Sequence, residues 1–405
     1  MNRIYWGDNL QVMSHLLKEF RGKVDLVYID PPFDSKADYK KTITVRRKTI
    51  TNDYVSFEEK QYNDLWSNDE YLQFMYERLI LLRELMSDKG TIFVQCDSHR
   101  NHLIRSIMDE VFGAENFRNE IVWIRSSSGK TMSRNFARDT DTILFYSKGE
   151  DYGLFPVYKP LAEATLRMYS MDDGDGRGKY RFYPMQKTSS PGPETTYDYV
   201  DNTGKVWPCP PKGWRMNKEK VKALENDGRL YLEGGTLQEK AYWNERPNPG
   251  KLANNLWDDI PNLQGENSEM VGYPTQKPEK LVERIISSVT VPNDLVLDCF
   301  MGSGTTQSVA SKLGRRCIGA DINLGAIQTT TKRLLGVSEA IRTKPPQIEF
   351  GDEEDGGKQK VDTFYTGFSV YNVNQYDIFR NELEAKELLI QALEIQPLPG
   401  NNLYD

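Results

Sequence analysis

The sequence predicts an α/β fold with a largely parallel sheet, on three observations. Short apolar runs alternate with segments whose apolar residues recur at helical spacing, the pattern of strands joined by crossover helices. One such run stops abruptly at Asp30-Pro31-Pro32-Phe33, because two successive prolines cannot continue a strand ladder. A glycine turn, Gly302-Ser303-Gly304, separates another strand from a helix, the place where open α/β sheets bind ligands.

The elements follow in order. Residues 3–6 read as a strand, and Gly7-Asp8-Asn9 turns into a helix with Leu10, Met13, Leu16 and Leu17 on one face. Residues 24–29 form a buried strand. Basic, polar sequence runs from there to about residue 68. A helix is predicted over 71–86, a strand over 90–96, a helix over 102–112, and strands over 120–124 and 142–146. From 151 to 272, Gly, Pro, Tyr and Trp become frequent and apolar periodicity fades, so this stretch is predicted to be a separate, irregular insert. The α/β pattern returns with a helix over 279–290, a strand over 295–298, a helix over 305–313 and a strand over 316–321. An acidic, glycine-rich linker over 351–360 and a helix over 381–393 close the chain. The division expected is therefore 1–150, 151–272, 273–345 and a C-terminal extension, 346–405.

Composition narrows the function. Of 405 residues, 38% are hydrophobic and 27% charged, with 22 Tyr, 16 Phe and 7 Trp, which excludes a mostly disordered chain. No run approaches the ~18 consecutive apolar residues of a membrane helix, and the N-terminus lacks a signal-peptide shape. Cys96, Cys209, Cys299 and Cys317 are far apart with no Cys-x-x-Cys pair, which fits a reducing cytoplasm better than a disulfide framework or a zinc knuckle. With only His15, His99 and His102 present, no metal site is expected. The net charge of −7 is misleading. Residues 346–405 hold 4 Lys+Arg against 12 Asp+Glu, a net of −8, so residues 1–345 carry +1. Inside that body Lys36, Lys40, Lys41, Arg46, Arg47 and Lys48 fall within thirteen residues that contain one acid, Asp38. Such a run is either a solvated loop or a phosphate contact.

Two motifs carry chemistry. In Asp298-Cys299-Phe300-Met301-Gly302-Ser303-Gly304-Thr305, an acid ends a strand, the glycines permit close backbone approach, and a helix begins. The turn is neither the Gly-x-Gly-x-x-Gly dinucleotide fingerprint nor a phosphate loop. Asp321 ends the next strand, where a carboxylate meets ribose hydroxyls or, alternatively, caps the helix that follows. In Asp30-Pro31-Pro32-Phe33, a buried strand delivers a carboxylate to the sheet edge and an aromatic ring follows. That suits a planar substrate with an exocyclic amine. Asp30 and an adjacent carbonyl accept its two hydrogens, Phe33 stacks on the ring, and the nitrogen lone pair turns out of the plane toward an electrophile. A tight turn with a packed Phe is the alternative.

Together, Asp-Pro-Pro-Phe and Asp-x-Phe-x-Gly-x-Gly closely resemble the amino-group DNA methyltransferases, with the catalytic motif first and the cofactor motif last, as in their β group. That group includes the modification subunits of Type III restriction systems. Gly7-Asp8-Asn9, residues 90–97, Trp257-Asp258-Asp259-Ile260-Pro261 and Tyr273-Pro274-Thr275-Gln276-Lys277-Pro278 resemble further family segments. The resemblance implies a Rossmann-like, class I S-adenosylmethionine-dependent sheet in circularly permuted motif order, with a target-recognition insert. It implies amine contacts from Asp30 and the Pro31 carbonyl within the Asp30, Pro31, Pro32, Phe33 motif. Phe300, Gly302 and Gly304 are expected to wrap the methionine end of the cofactor, with Asp298 near its amino group, Asp321 on the ribose, Asp8 near the adenine, and Thr305 and Lys277 beside them. The family more often has Tyr where Phe33 stands, so stacking is kept and a hydroxyl is lost.

The substrate implied is an adenine N6 amine in double-stranded DNA, which must flip out of the duplex to be reached. The Lys36–Lys48 run is then expected to contact phosphates, and Lys212 and Arg215 of the insert likewise. Cytosine N4 is the alternative target, and a non-catalytic specificity or scaffold subunit the alternative role. The acidic extension is expected to contact protein, either a second copy of the chain or a restriction or translocase subunit, or else to fold back on its own core.

Overall fold

Val24–Ile29 (β2) is apolar at nearly every position because it lies inside the sheet with both faces covered. The computed structural model describes residues 1–32, 42–45, 48–51, 68–126, 136, 138–190, 192–246, 250–264, 267–346, 349–350, 359–361 and 363–373. Phe33, Lys36, Lys40, Lys41, Arg46, Arg47 and the helix predicted over 381–393 lie outside them. These residues divide into two units, one from Met1–Val157 and Ala253–Asp405 and the other Tyr158–Leu252.

In the first unit, β2 belongs to a sheet that comprises nine strands among the described residues. The others are Asn2–Trp6 (β1), Met86–Cys96 (β3), Phe117–Ile124 (β4), Thr140–Ser147 (β5), Leu256–Trp257 (β6), Leu295–Asp298 (β7), Arg316–Asp321 (β8) and Phe368–Asn372 (β9). The order is β6-β4-β5-β3-β2-β7-β8-β1-β9. β5 runs antiparallel to both neighbours, while every other pairing is parallel. The predicted α/β class and largely parallel sheet are observed.

Side-chain alternation decides which helices cover which face. Val27, Ile29, Ile92, Val94 and Leu297 pack with Asn9–Phe20 (α1), Asn68–Leu85 (α2) and Asn101–Phe112 (α3) through Met13, Leu16, Met75, Leu79, Ile104 and Met108. Leu26, Tyr28, Phe93 and Val296 pack on the other face with Glu279–Val289 (α4) and Thr305–Lys312 (α5) through Leu281, Ile285 and Val309. Full burial of each such Leu or Ile contributes about 1.5–3 kcal/mol. Leu324–Thr343 (α6) starts at Asn323, whose side chain accepts hydrogen bonds from the Gly325 and Ala326 amides.

Two edges of the sheet hold strands that the sequence expectation lacks. β6 rejoins the first unit from within the span assigned to the insert, so the second unit is narrower than 151–272. At the other edge β9 pairs with β1 from Asn2↔Phe368 to Trp6↔Asn372, and Tyr371 stacks on Tyr5 at 5.1 Å. At these residues the extension takes the alternative expected for it and folds back on its own core: β1 is an edge with free backbone groups, and β9 satisfies them.

The second unit has a small core of its own, formed by Met185, Tyr199, Trp207, Trp214, Val221, Leu230 and Leu237. It holds a three-stranded antiparallel sheet of Leu230–Tyr231, Gln238–Tyr242 and Tyr180–Pro184, and a helix, Lys218–Asn226.

Candidate active site

The adjacent strands β2, β7 and β8 point their carboxyl ends the same way, and each ends in or just before an acid: Asp30, Asp298 and Asp321. Between them lies a cavity of about 230 Å³. Its lining includes Asp30, Pro32, Lys277, Asp298, Phe300, Gly302, Thr305 and Asp321, all singled out from the sequence. Asn9 and Tyr273, from two of the family-like segments, line it as well, as do Tyr28, Ile322 and Asn323, none of which carries a site role by sequence.

The glycine turn is shaped by its backbone. Gly302 and Gly304 have φ of 49° and 70°, the left-handed region that favours glycine. This conformation aims the Gly302 amide at Asp321 Oδ2, 2.9 Å away, while the Asn323 amide donates to Oδ1 at 2.8 Å. Asp321 thus lines the cavity with each carboxylate oxygen accepting from a backbone amide. Asp321 does not cap α6; Asn323 does. Gly304 is absent from the cavity lining among the described residues. A side chain there would strike Thr330, whose hydroxyl donates to the Gly302 carbonyl at 3.2 Å.

Asp298 is buried, and accepts from the Thr306 hydroxyl at 2.6 Å and the Phe300 amide at 3.0 Å. Burial raises its pKa to about 7 against those two hydrogen bonds, with Asp30 and Asp321 adding to the rise. Asp30 is also raised by burial, and the charge and hydrogen bond of Lys277 pull it back down. The Lys277 ammonium donates to Asp30 Oδ2, while Oδ1 is buried without a hydrogen-bond partner among the described residues. Thr305 donates to the Lys277 carbonyl at 3.3 Å and accepts from Arg333 at 2.9 Å.

Asp8 sits beside the cavity without lining it. Its carboxylate caps α1 through the Leu10 and Gln11 amides and pairs with Arg78 at 3.2 Å. Arg78 also donates to Asn9 Oδ1 at 2.5 Å and lies 3.4 Å above the Phe74 ring, which in turn packs against Phe300. No sequence signal marked Arg78: one Arg on a long helix reads as surface. In the second unit, Arg215 is held by Glu239 at 2.5 Å and lies 4.2 Å over Tyr183, while Lys212 donates to the Thr188 carbonyl at 3.2 Å. Lys48 opens the second strand of a hairpin, Thr42–Val45 with Lys48–Thr51. The Trp257–Pro261 segment has a structural part: Asp259 forms a bidentate pair with Arg284 of α4, and Trp257 and Ile260 are buried.

No helix among the described residues is long and apolar enough to cross a membrane, and no group of acids, His and Cys among them has the arrangement of a metal site. A DNA methylase family model matches residues 24–332. The chain is 30% identical over 406 residues to the Type II methyltransferase M.EcaI of Enterobacter cloacae, covering 98% of this chain and 82% of that protein. It is 28% identical to a probable Type III restriction-modification HindVI Mod subunit of Haemophilus influenzae, covering 79% of this chain. It is 27% identical to the StyLTI Mod subunit of Salmonella typhimurium, covering 75%. The chain spans about half the length of these two Mod subunits, 48% and 49%. Among solved structures it is similar to an M1.HpyAVI–SAM complex, at 20% identity and a TM-score of 0.41, covering 82% of this chain and 99% of that one. With the family model spanning most of the sheet and its cavity, the chain belongs to the N6/N4 DNA methylase family.

Proposed function

We propose that this protein transfers a methyl group from S-adenosylmethionine to the N6 amine of an adenine flipped out of duplex DNA. The observation that carries the reading is Asp30, which lines the cavity with one carboxylate oxygen unpartnered among the described residues, beside the glycine turn. An ionised carboxylate is an acceptor only, and it suits an amine that must give up conjugation with its ring. Asp30 and the Pro31 carbonyl take the two amine hydrogens, which turns the nitrogen lone pair out of the base plane, and Phe33 stacks on the base.

The cavity fits the cofactor in its donor set. Asp298 offers a buried carboxylate to an ammonium group, Asp321 lines the cavity as an acid for ribose hydroxyls, and the Gly302 backbone approaches without a side chain between. When bound, S-adenosylmethionine supplies an electrophilic methyl group. Asp8 with Arg78 orders the neighbouring start of α1, and Phe300 gives the cavity an apolar wall. The Lys36–Lys48 run, Lys212 and Arg215 are the candidate phosphate contacts. The segment beyond Val373 is the candidate contact for a second copy or a restriction or translocase subunit.

Mass spectrometry of nucleosides from DNA treated with the purified protein tests the reading. N6-methyladenine is expected, and its loss in Asp30→Ala while cofactor affinity stays within about threefold, less than 1 kcal/mol. N4-methylcytosine would transfer the same chemistry to cytosine. No methylated base at all, with cofactor still bound, would favour a scaffold.

A further inference from the structure

Lys277 and Asp30 are 247 residues apart in sequence and meet at the cavity. The Lys277 side chain is only 10% exposed and Asp30 20%, so this is not a surface pair free to reorganise in water. The backbone of Lys277 is held on both sides. Before it, Gln276 is buried and ties its own loop together: its side chain accepts from the Val271 amide at 2.9 Å and donates to the Glu269 carbonyl at 2.6 Å. After it, α4 opens with Glu279, which accepts from Ser308, Lys312 and Arg333. The ammonium is thus delivered to Asp30 by an anchored backbone rather than by a free side chain.

We propose that Lys277 is a positioning residue for the methyl-accepting side of the site: it holds Asp30 Oδ2 and so presents Oδ1 to the incoming amine. This rests on the adenine-methylation reading and goes beyond a role for Lys277 beside the cofactor. A carboxylate turned by a single charged partner keeps its second oxygen in one place, which is what accepting a specific amine hydrogen requires.

The charge balance supports the same assignment. Among the described lining residues, Lys277 is the one cation facing three carboxylates, Asp30, Asp298 and Asp321. The groups that bear on Asp30 are Tyr28 on its own strand, Tyr71 from α2, Cys96 from β3, Asp141 from β5, Asp298 from β7 and Lys277 from the loop before α4. Burial and Asp141 favour the protonated acid, and Lys277 opposes them. A protonated Asp30 is a poorer acceptor, so removing Lys277 confines activity to higher pH.

The test is single-turnover methylation between about pH 6 and 9 with saturating cofactor and DNA, for wild type, Lys277→Met and Lys277→Arg. For Lys277→Met the rate at pH 7 is expected to fall by about tenfold or more, with the acid limb moved up by about one unit and partial recovery at high pH. Lys277→Arg keeps the limb within about 0.5 unit of wild type, since it restores the charge. Affinity for S-adenosylhomocysteine, by calorimetry, stays within about threefold in both. In an Asp30→Asn background, adding Lys277→Met costs little further rate, because the two residues act through one contact. An unmoved acid limb, additive losses in the double variant, or a rate loss explained by weakened cofactor binding would each overturn the proposal. If Lys277→Met does not fold by circular dichroism, the Arg variant and the Asp30→Asn background decide it: a displaced limb in Lys277→Arg, or an unmoved one in Asp30→Asn, overturns it. Failure of the functional reading itself is visible separately, as a wild type that leaves adenine unmethylated.

Discussion

If Asp298 meets the cofactor ammonium as proposed, it couples a proton to cofactor binding. In the free protein its pKa is raised to about 7, chiefly by burial, and only the ionised form attracts an ammonium group. Binding therefore selects the deprotonated state. The favourable interaction is half present at about pH 7, nearly complete about one unit above, and lost as pH falls below it. Affinity for S-adenosylhomocysteine, measured by calorimetry, is expected to weaken by up to about tenfold per pH unit below 7. In Asp298→Asn the same plot should be flat, and weak throughout; a wild-type affinity independent of pH from about 6 to 8 would show that this carboxylate does not meet the cofactor. Arg78 makes the complementary point. It is 5% exposed and joins Asp8, Asn9 and the Phe74 ring in one cluster, so Asp8 orders the start of α1 beside the cavity.

At the scale of the element, the turn between β7 and α5 is built around two glycines for different reasons. A Cβ on Gly304 would stand 2.5 Å from Thr330 Oγ1 and 2.6 Å from its methyl, whereas at Gly302 the nearest atom would be a Tyr273 ring carbon at 3.2 Å. Both positions carry the left-handed backbone, which costs a non-glycine residue roughly 1–2 kcal/mol. Gly304→Ala adds overpacking against α6 and is expected to lose about 2–4 kcal/mol in urea unfolding. Gly302→Ala should lose only about 1–2 kcal/mol. Larger side chains at Gly302, Val above all, fill the space beside Tyr273 and should abolish cofactor binding. Equal stability losses for the two alanine variants would mean that the Thr330 contact relaxes freely. This turn was legible in the sequence because glycine and proline act locally: each restricts the backbone wherever it stands, so Gly302, Gly304, Pro31 and Pro32 mark their loops without any tertiary information.

For the whole molecule, β9 binds the far end of the described chain to its start. Beyond the strand pairing, the Asn2 side chain donates to the Tyr365 carbonyl at 2.7 Å, the Val373 amide donates to Trp6, and Val361 is buried. Deleting residues 361–405 removes this strand and leaves β1 as a bare edge. The melting temperature should fall, by about 1 °C per kcal/mol lost in a chain of this size, and light scattering should show self-association through the exposed edge. An unchanged melting temperature would mean that β9 adds nothing to the sheet. Loss of a co-purifying partner from a deletion of residues 374–405 alone would place the protein contact beyond the strand.

The sequence by itself determined the α/β class, seven of the nine sheet strands in their order along the chain, and the two loops that frame the cavity. Each of these depends on periodicity or on a residue with a fixed backbone preference, read over a few neighbours. Tertiary structure decided what no local window contains. β6 is two residues long, too short for a periodic signal, and β9 lies past an acidic, glycine-rich linker that reads as an extension; each is a strand because a distant edge offers it hydrogen bonds. Lys277 could be read as a neighbour of the cofactor turn by its position in the chain. That its ammonium lies on Asp30 follows from β2 and the loop before α4 meeting at one end of the sheet. A buried charge is stable only beside its partner, and only the folded chain brings partners 247 residues apart together.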